Sequence, residues 1–219
     1  MKRRILCVLI ALALCLGLCP GGAFMAGAVS GTLDFTSQAS DTAGAGYSWV
    51  ADTRTLTLTN FTQTVSGDTE SVRAIKLPAD TTLVLEGESA ITNGSFGGRC
   101  IEYEGTLTIQ GSGVLNLNLA MPTQVGTSSS CGRGIYEKSD SSSDNILRIE
   151  SGTLNIRGNA QDTGSEGYVG ISGAEVHLDG GTINMVDVTK GVNATYWWVI
   201  RNTNRKLFVN GGDFYYSKS

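Results

Sequence analysis

The sequence predicts an all-β protein, a single-stranded parallel β-helix of about five to six coils with three strands in each coil. Two observations support this prediction. Beyond residue 50, short runs dominate in which apolar residues alternate with polar or small ones, the pattern of a strand with one buried face. These runs also recur in a fixed order with like residues in like places. A β-sandwich is the alternative, since it too is built from short alternating strands.

Each repeat has three parts, and aligning the repeats produces columns of like residues. The first column holds isoleucines: Ile75, Ile101, Ile135, Ile171 and Ile200. The second holds apolar pairs: Leu83 with Leu85, Leu107 with Ile109, Leu147 with Ile149, Val176 with Leu178, and Leu207 with Val209. The third holds Ile91, Leu115, Leu154, Ile183 and Phe214. In a parallel solenoid each strand lies about 4.8 Å from its counterpart one turn earlier, so each column is expected to form a stack of core side chains.

The segment Ile149–Ile156, IESGTLNI, shows the choice between the two folds. Two strands separated by small residues are also the signature of a β-hairpin. Because the same arrangement recurs in each repeat, the sequence favours a corner of one coil. Ser/Thr/Gly-rich inserts at 121–130, 139–144 and 161–167 are expected to be loops that absorb the differences in repeat length.

The chain divides into three predicted regions. Residues 1–28 have a basic start, an apolar run and a small-x-small cleavage site at Ala26–Ala28, which indicates a secretory signal peptide. An uncleaved anchor helix is the alternative. Residues 29–54 are expected to form an N-terminal cap, and residues 55–219 the β-helix domain. We therefore expect a secreted, extracellular protein, associated with a cell surface, that has no membrane span after signal cleavage.

Charge argues against one class of partner, and the cysteine content excludes a disulfide framework. The formal net charge is −4, and loss of Lys2, Arg3 and Arg4 with the leader makes it about −7. Such a balance argues against nucleic acid as a partner, which needs a basic surface. After cleavage Cys100 and Cys131 remain, so the protein has no disulfide framework. Whether these two residues are bridged is left open.

Three arginines form the leading candidate for a binding site. Arg73, Arg99 and Arg133 recur two residues before the isoleucine column. Stacked guanidinium groups repel one another unless they are paired or occupied, and arginine binds carboxylates bidentately, so an acidic polysaccharide is a suitable ligand. The alternative is pairing with nearby acids such as Glu102, Glu104 or Glu137. Three aromatic residues near the same strands could stack on sugar rings, and we add them as candidates: Tyr103, Tyr136 and Trp197.

Other polar columns are assigned structural roles. Asn116, Asn155 and Asn184 are expected to form an outer amide ladder up the stack. Glu150 and Asp179 are expected to be neighbours just after the second strand, where they make a candidate calcium pair or simple turn residues. The sequence predicts no cofactor, no catalytic residue and no other metal site. His177, the single histidine, is expected on the outer face.

The chain resembles the secreted right-handed parallel β-helix proteins of anaerobic Gram-positive bacteria, a family labelled as carbohydrate-binding domains with polygalacturonate-binding members. The resemblance rests on YSWVADTRTLTLTNF (47–61), AIKLPADTTLVLEG (74–87) and LTIQGSGVLNL (107–117), and it covers roughly residues 45–219. It implies a right-handed coil and a glycan-binding or surface role. Family members can use calcium, but no carboxylate cluster here matches a site residue by residue.

The predicted function is therefore non-catalytic binding of a polysaccharide, of acidic, uronate type, at the outer face of the β-helix. One alternative is a structural or adhesive module that stacks end to end with a partner, including another copy of itself, through its last coil. Another is a truncated piece of a larger surface protein. A polysaccharide lyase or hydrolase, which needs a set of active-site carboxylates, is the least favoured.

Overall fold

The structure is a computed structural model that describes residues 28–67, 72–95, 97–119, 132–138, 145–158, 168–172, 175–188, 200–201 and 206–217. The described residues are all-β and form 21 strands. In chain order these are β1 (Val29–Ser30), β2 (Leu33–Asp34), β3 (Thr42–Gly44), β4 (Tyr47–Val50), β5 (Thr55–Thr59), β6 (Thr62–Val65), β7 (Arg73–Leu77), β8 (Thr81–Glu86), β9 (Glu88–Asn93), β10 (Arg99–Tyr103), β11 (Thr106–Gly111), β12 (Val114–Leu119), β13 (Arg133–Glu137), β14 (Ile146–Ile149), β15 (Thr153–Arg157), β16 (Val169–Ser172), β17 (Glu175–Leu178), β18 (Thr182–Val186), β19 (Ile200–Arg201), β20 (Lys206–Val209) and β21 (Asp213–Ser217).

The strands are distributed over three sheets. Sheet A has the order β1-β6-β9-β12-β15-β18-β21, sheet B has β19-β16-β13-β10-β7-β2, and sheet C has β20-β17-β14-β11-β8-β5-β4-β3. From β5 onwards each strand pairs in parallel with the strand three places along the chain, so consecutive strands belong to different sheets. Antiparallel pairing, which the alternative β-sandwich needs, is confined among the described strands to β3–β4 and β4–β5.

Alternation along the strands explains why one face of each sheet is buried. In β15, Leu154 and Ile156 are buried while Thr153 and Asn155 are partly exposed. The same pattern in β5, β12, β14 and β18 supplies the apolar core shared by the sheets. In sheet B the isoleucine column lies in register from strand to strand, as Ile75, Ile101, Ile135, Ile171 and Ile200.

Two of the predicted columns are shifted by two residues, both between the first two repeats. Leu83 pairs with Ile109 and Leu85 with Gly111, so the prediction that Leu83 stacks on Leu107 is wrong. In sheet A, Ile91 pairs with Leu117 instead of Leu115. Because side chains repeat every two residues along a strand, a shift of two keeps the apolar residues on the inner face, and the pattern alone cannot distinguish the two registers. The remaining columns follow the predicted alignment.

Ile149–Ile156 is a corner between two sheets, and the hairpin interpretation is wrong for it. Ile149 ends β14 in sheet C and Leu154 lies in β15 in sheet A. The Ser151 hydroxyl accepts a hydrogen bond of 2.9 Å from the backbone amide of Gly111, which ends β11. Gly152 has a φ of 88°, a left-handed conformation that glycine adopts without strain. The glycine here serves the turn.

The two ends of the stack differ. Next to β4 and β5 the core is covered by buried aromatic residues, and Phe35 stacks on Trp49 with ring centroids 4.9 Å apart. At the other end, large apolar side chains of β20 and β21 are exposed, including Leu207, Val209 and Phe214. Phe214, predicted as a core residue, is therefore on an open apolar surface. The predicted cap 29–54 also contains β1 and β2, which pair in parallel with β6 and β7.

Candidate functional site

The three candidate arginines lie at the start of consecutive strands of sheet B. Arg73 opens β7, Arg99 opens β10 and Arg133 opens β13, and Arg99 is the register partner of both others. Neighbouring strands are about 4.8 Å apart, so three like charges come close together. The column continues to Val169 in β16, which has no charge. We call Arg73, Arg99 and Arg133, together with Glu102 and Tyr136, the arginine face.

Glu102 joins two of the arginines. Its Oε2 accepts a hydrogen bond from Arg73 Nε at 2.7 Å and another from Arg99 Nη1 at 3.0 Å. The side chains are 21% exposed for Arg73, 17% for Arg99 and 5% for Glu102, so the ion pairs are largely shielded from water. The predicted alternative, pairing with nearby acids, therefore holds for these two residues. A salt bridge of this kind restricts both guanidinium groups to one geometry.

Tyr136 joins the other pair. The guanidinium carbon of Arg99 lies 3.8 Å from the centre of the Tyr136 ring, and that of Arg133 lies 4.5 Å from it. Cation–π contacts of this kind are worth about 0.5–2 kcal/mol each. The Tyr136 ring thus contacts two cations. It holds the arginines, and the predicted stacking of this ring on a sugar is replaced by these contacts.

Arg133 differs from its neighbours because it makes no ion pair with any residue that the structure describes. The Nε–H groups of Arg99 and Arg133 are both buried, and neither has a hydrogen-bond partner in the described part of the chain. Burial lowers the pKa of Arg99, the positive charges of Arg73 and Arg133 lower it further, and Tyr136 and Glu102 act in the opposite sense. The charges of Arg99 and Arg133 are therefore incompletely compensated within the described structure.

Tyr103 is wrongly predicted as a surface residue. It is fully buried in the core, and its hydroxyl has no hydrogen-bond partner within the described residues. Burial, with a further contribution from the negative charge of Glu137, raises the pKa of Tyr103 well above its usual range. The physical reason is the period of two: Tyr103 shares the inner face with Ile101, while Glu102 between them contacts the arginines. Trp197 lies outside the described residues.

The asparagine column forms a directional amide ladder on the outer face of sheet A. Asn184 Nδ2 donates to Asn155 Oδ1 at 2.8 Å, and Asn155 Nδ2 donates to Asn116 Oδ1 at 2.8 Å. Asn116 Nδ2 in turn donates to Glu88 Oε1 at 3.0 Å and to the Ser89 carbonyl at 3.3 Å. Every amide points its donor toward the preceding strand in the chain order of sheet A, and the ladder ends at the carboxylate of Glu88.

The candidate calcium pair is arranged differently from a metal site. Asp179 makes an ion pair with Arg148 and accepts a hydrogen bond from Asn210 Nδ2 at 2.6 Å. The hydrogen bond from Asn210 has the largest effect and lowers the pKa of Asp179; burial opposes it, and Arg148 and His177 lower the pKa further. The backbone amide of Glu150 donates a hydrogen bond to the carbonyl oxygen of Ile109. Among the described residues, no three His, Cys, Asp or Glu side chains are grouped so that they could bind a metal ion.

Two further predicted residues are placed by the structure. His177 stacks on Phe208 with ring centroids 4.6 Å apart, and its Nε2 lies 2.6 Å from Glu175 Oε1. Cys100 is a buried free thiol in sheet B, and Cys131 lies outside the described residues, as do residues 1–27 of the predicted leader.

Sequence reasoning missed Arg157. This exposed residue ends β15 and is the register partner of Asn118 in β12 and Val186 in β18. The signal available in the sequence was its spacing, because it follows Ile156 just as Asn118 follows Leu117. An outer position two residues past the amide ladder must lie on the same face as the ladder.

No protein-family model matches this chain, and neither a curated protein nor a solved structure matches it. Within the part of the chain that the structure describes, no helix is long and apolar enough to cross a membrane.

Proposed function

We propose that the protein is a secreted, non-catalytic surface protein that binds an acidic polysaccharide of uronate type through the arginine face. The observation that supports this most is that Arg133 has no ion pair in the described structure. Its register partner Arg99, by contrast, shares the carboxylate of Glu102 with Arg73. Carboxylates supplied by a ligand would compensate these charges, since arginine and carboxylate form bidentate, charge-assisted hydrogen bonds.

The proposed scaffold is a right-handed parallel β-helix. Its support is the strand order, in which each of the three sheets takes every third strand and pairs it in parallel with its predecessor. Parallel strands joined through a crossover connection are almost always right-handed. On such a scaffold the arginines follow the long axis of the stack, so a polysaccharide running along that axis would meet one guanidinium group per turn.

Secretion is proposed from the leader-like residues 1–28. The first strand of sheet A begins at Val29, so cleavage after Ala28 would leave all the described strands intact. The resemblance to secreted β-helix proteins that bind polygalacturonate supports the same proposal, and it also suggests retention at a cell surface.

Binding without cleavage is proposed because of how the described acidic groups are held. A glycoside hydrolase needs one carboxyl group whose raised pKa keeps it protonated as a general acid. The pKa of Asp179 is instead lowered, by its hydrogen bond from Asn210 and by Arg148. Glu102 is occupied by two guanidinium groups. Asp179 therefore favours the ionised state, and Glu102 is engaged by arginines, which suits a binding protein.

The test is a glycan array followed by titration with a soluble polyuronate. Changing Arg73, Arg99 and Arg133 together to Ala should abolish uronate binding, and Arg133→Ala alone should weaken it at least tenfold without disturbing the Arg73–Glu102–Arg99 ion pairs. Arg54→Ala is the matched control, because Arg54 is an exposed arginine whose weak ion pair with Asp80 lies away from the arginine face. Binding should also weaken as salt is raised. Unchanged uronate binding by the triple variant would overturn the proposal.

A second candidate function, end-to-end association of two copies, is favoured by the apolar end of the stack. Leu207 is 51% exposed and Val209 61% exposed, and with Phe214 they border an apolar cavity of about 160 Å³. These side chains continue the columns that pack between turns elsewhere, so a second copy would bury them in the same way. Light scattering across a range of concentrations should detect a dimer that Val209→Lys abolishes. A monomer at every concentration would exclude this candidate.

A further inference from the structure

A groove on the outer face of sheet A runs beside the amide ladder. It has a volume of about 250 Å³, and its walls include Asn155 and Asn184 of the ladder together with Asn118, Arg157 and Val186. The wall residues form two rows on one face, since Asn118, Arg157 and Val186 are register partners two residues beyond the ladder. The groove is therefore polar along the ladder and has a cation on its opposite wall.

The hydrogen-bond pattern of the ladder makes the groove rich in donors. An asparagine amide has two N–H groups and one carbonyl oxygen. Asn155 and Asn184 each donate one N–H within the ladder, and the Oδ1 atoms of Asn116 and Asn155 accept these hydrogen bonds. No described residue takes up the second N–H of Asn155 or of Asn184. The ladder thus uses the Oδ1 atoms of Asn116 and Asn155 as its own acceptors and leaves one N–H of Asn155, and one N–H with the Oδ1 of Asn184, for a ligand.

Arg157 gives the groove a positive charge that no residue in the described ranges compensates. It is exposed and forms neither an ion pair nor a hydrogen bond with any residue of the described ranges. A guanidinium group carries five N–H donors in a planar fork that fits an oxyanion. One arginine with two amide donors in so small a volume suits a single anionic group, whereas the arginine face suits a polymer.

Val186 completes the set of contacts. It is partly exposed and lies beside Arg157 in the next strand. A small apolar wall next to directional donors is the usual composition of a site that orients a small polar ligand with a C–H surface. Sugars have such a surface together with hydroxyl and ring oxygens that can accept the amide hydrogens.

We propose that this groove is a second binding site, which holds one sugar unit carrying a single carboxylate or sulfate group. Arg157 binds the oxyanion, the second N–H groups of Asn155 and Asn184 donate to the hydroxyl or ring oxygens, and Val186 contacts the C–H surface. This inference rests on the proposed function in that it assigns a subsite to the same class of ligand on a different sheet.

The test is a titration followed by nuclear magnetic resonance of the side-chain amide groups. A disaccharide of two hexuronic acid units should shift the N–H signals of Asn155 and Asn184. Its dimethyl ester, which has no carboxylate, should bind at least tenfold more weakly. A monosulfated neutral disaccharide forms the third arm, and saturable shifts with either anionic ligand support the site while their relative strength identifies the preferred anion. Equal binding of the ester would overturn the proposal.

Two variants separate this site from the arginine face. Arg157→Gln should reduce the affinity at least tenfold, and Arg133→Ala should leave the Asn155 and Asn184 shifts unchanged. Because Arg157 is exposed and unpaired in the described structure, its replacement should preserve the fold, which the same spectra verify. Shifts that persist undiminished in Arg157→Gln would refute the groove and leave the proposed function standing. Loss of polyuronate binding only in Arg157→Gln, and not in Arg133→Ala, would refute the proposed function instead.

Discussion

Replacing Glu102 by Gln tests whether the arginine face is a set of compensated charges. The substitution keeps the shape of the side chain and removes the negative charge that Arg73 and Arg99 contact at 2.7 and 3.0 Å. In the variant, three guanidinium groups lie at adjacent register positions without the negative charge of Glu102 between them. We expect the variant to fold but to be less stable, because mutual repulsion of the cations increases while they stay largely buried.

The magnitude follows from burial. Removing one member of a fully buried ion pair destabilises a protein by about 3–5 kcal/mol. Here Glu102 is 5% exposed, but its partners are 21% and 17% exposed, and the amide oxygen of Gln can still accept one hydrogen bond. We therefore expect a loss of about 2–4 kcal/mol, with a decrease in Tm of about 2–4 °C for each kcal/mol in a protein of this size.

The assay is urea-induced unfolding at low and high ionic strength, with Glu104→Gln as the control. Glu104 pairs with Lys138, and their side chains are 38% and 50% exposed, so this variant should lose less than about 1 kcal/mol. Salt screens like-charge repulsion, so the defect of Glu102→Gln should shrink as salt is raised. If Glu102→Gln is no less stable than Glu104→Gln, the arginines do not depend on Glu102 and the reasoning is refuted.

The remaining predictions concern the amide ladder, acid stability and the buried thiol. Asn155→Ala removes two hydrogen bonds of 2.8 Å and should lower the free energy of unfolding by about 1–3 kcal/mol, measured with urea; an unchanged midpoint would contradict a stabilising ladder. The pKa of Asp179 is lowered, chiefly by its hydrogen bond from Asn210, so its contribution to stability is present above the ordinary Asp pKa of about 3.9 and is lost as pH falls through the lower folded value. The stability difference between the wild-type protein and Asp179→Asn should therefore be constant near neutral pH and shrink below about pH 4, and a difference that grows in acid would show that the sign is wrong. Burial raises the pKa of the Cys100 thiol to about 12, so in a Cys131→Ser variant that lacks the leader it should react with a thiol reagent at pH 8 only after unfolding, and fast reaction of the folded protein would contradict its burial.

The period of two along the strands, and the repetition of like residues, predicted which side chains are buried and which strands are neighbours. Ile75, Ile101 and Ile135 are in register as the repeat indicated. The amide ladder was predicted for the same reason, since the outer residue between two core positions keeps its place from turn to turn. The period of two also explains why the predicted register of Leu83 was wrong, because a shift by two residues leaves every inward side chain pointing inward.

Tyr103 and Tyr136 show what the local pattern could not give. Every residue from Cys100 to Tyr103 is buried, so burial does not alternate along this strand, and Tyr103 lies on the inner face with Ile101, two residues earlier. Tyr136 was predicted to face a sugar, and the structure instead places two guanidinium groups against it. Both outcomes depend on neighbours that are distant in sequence and come from other strands.

The sequence by itself determined the strands, their inward faces and the stacked columns of isoleucine, asparagine and arginine, because these follow from short periods and from a repeat that can be read along the chain. Only the tertiary structure decided how the charges are shared. Glu102 binds two arginines from different strands, Arg133 is without an ion pair among the described residues, and Arg157 lies across a groove from the amide ladder. These relations depend on distances of a few ångströms between separate strands, and alternation along one strand does not specify them.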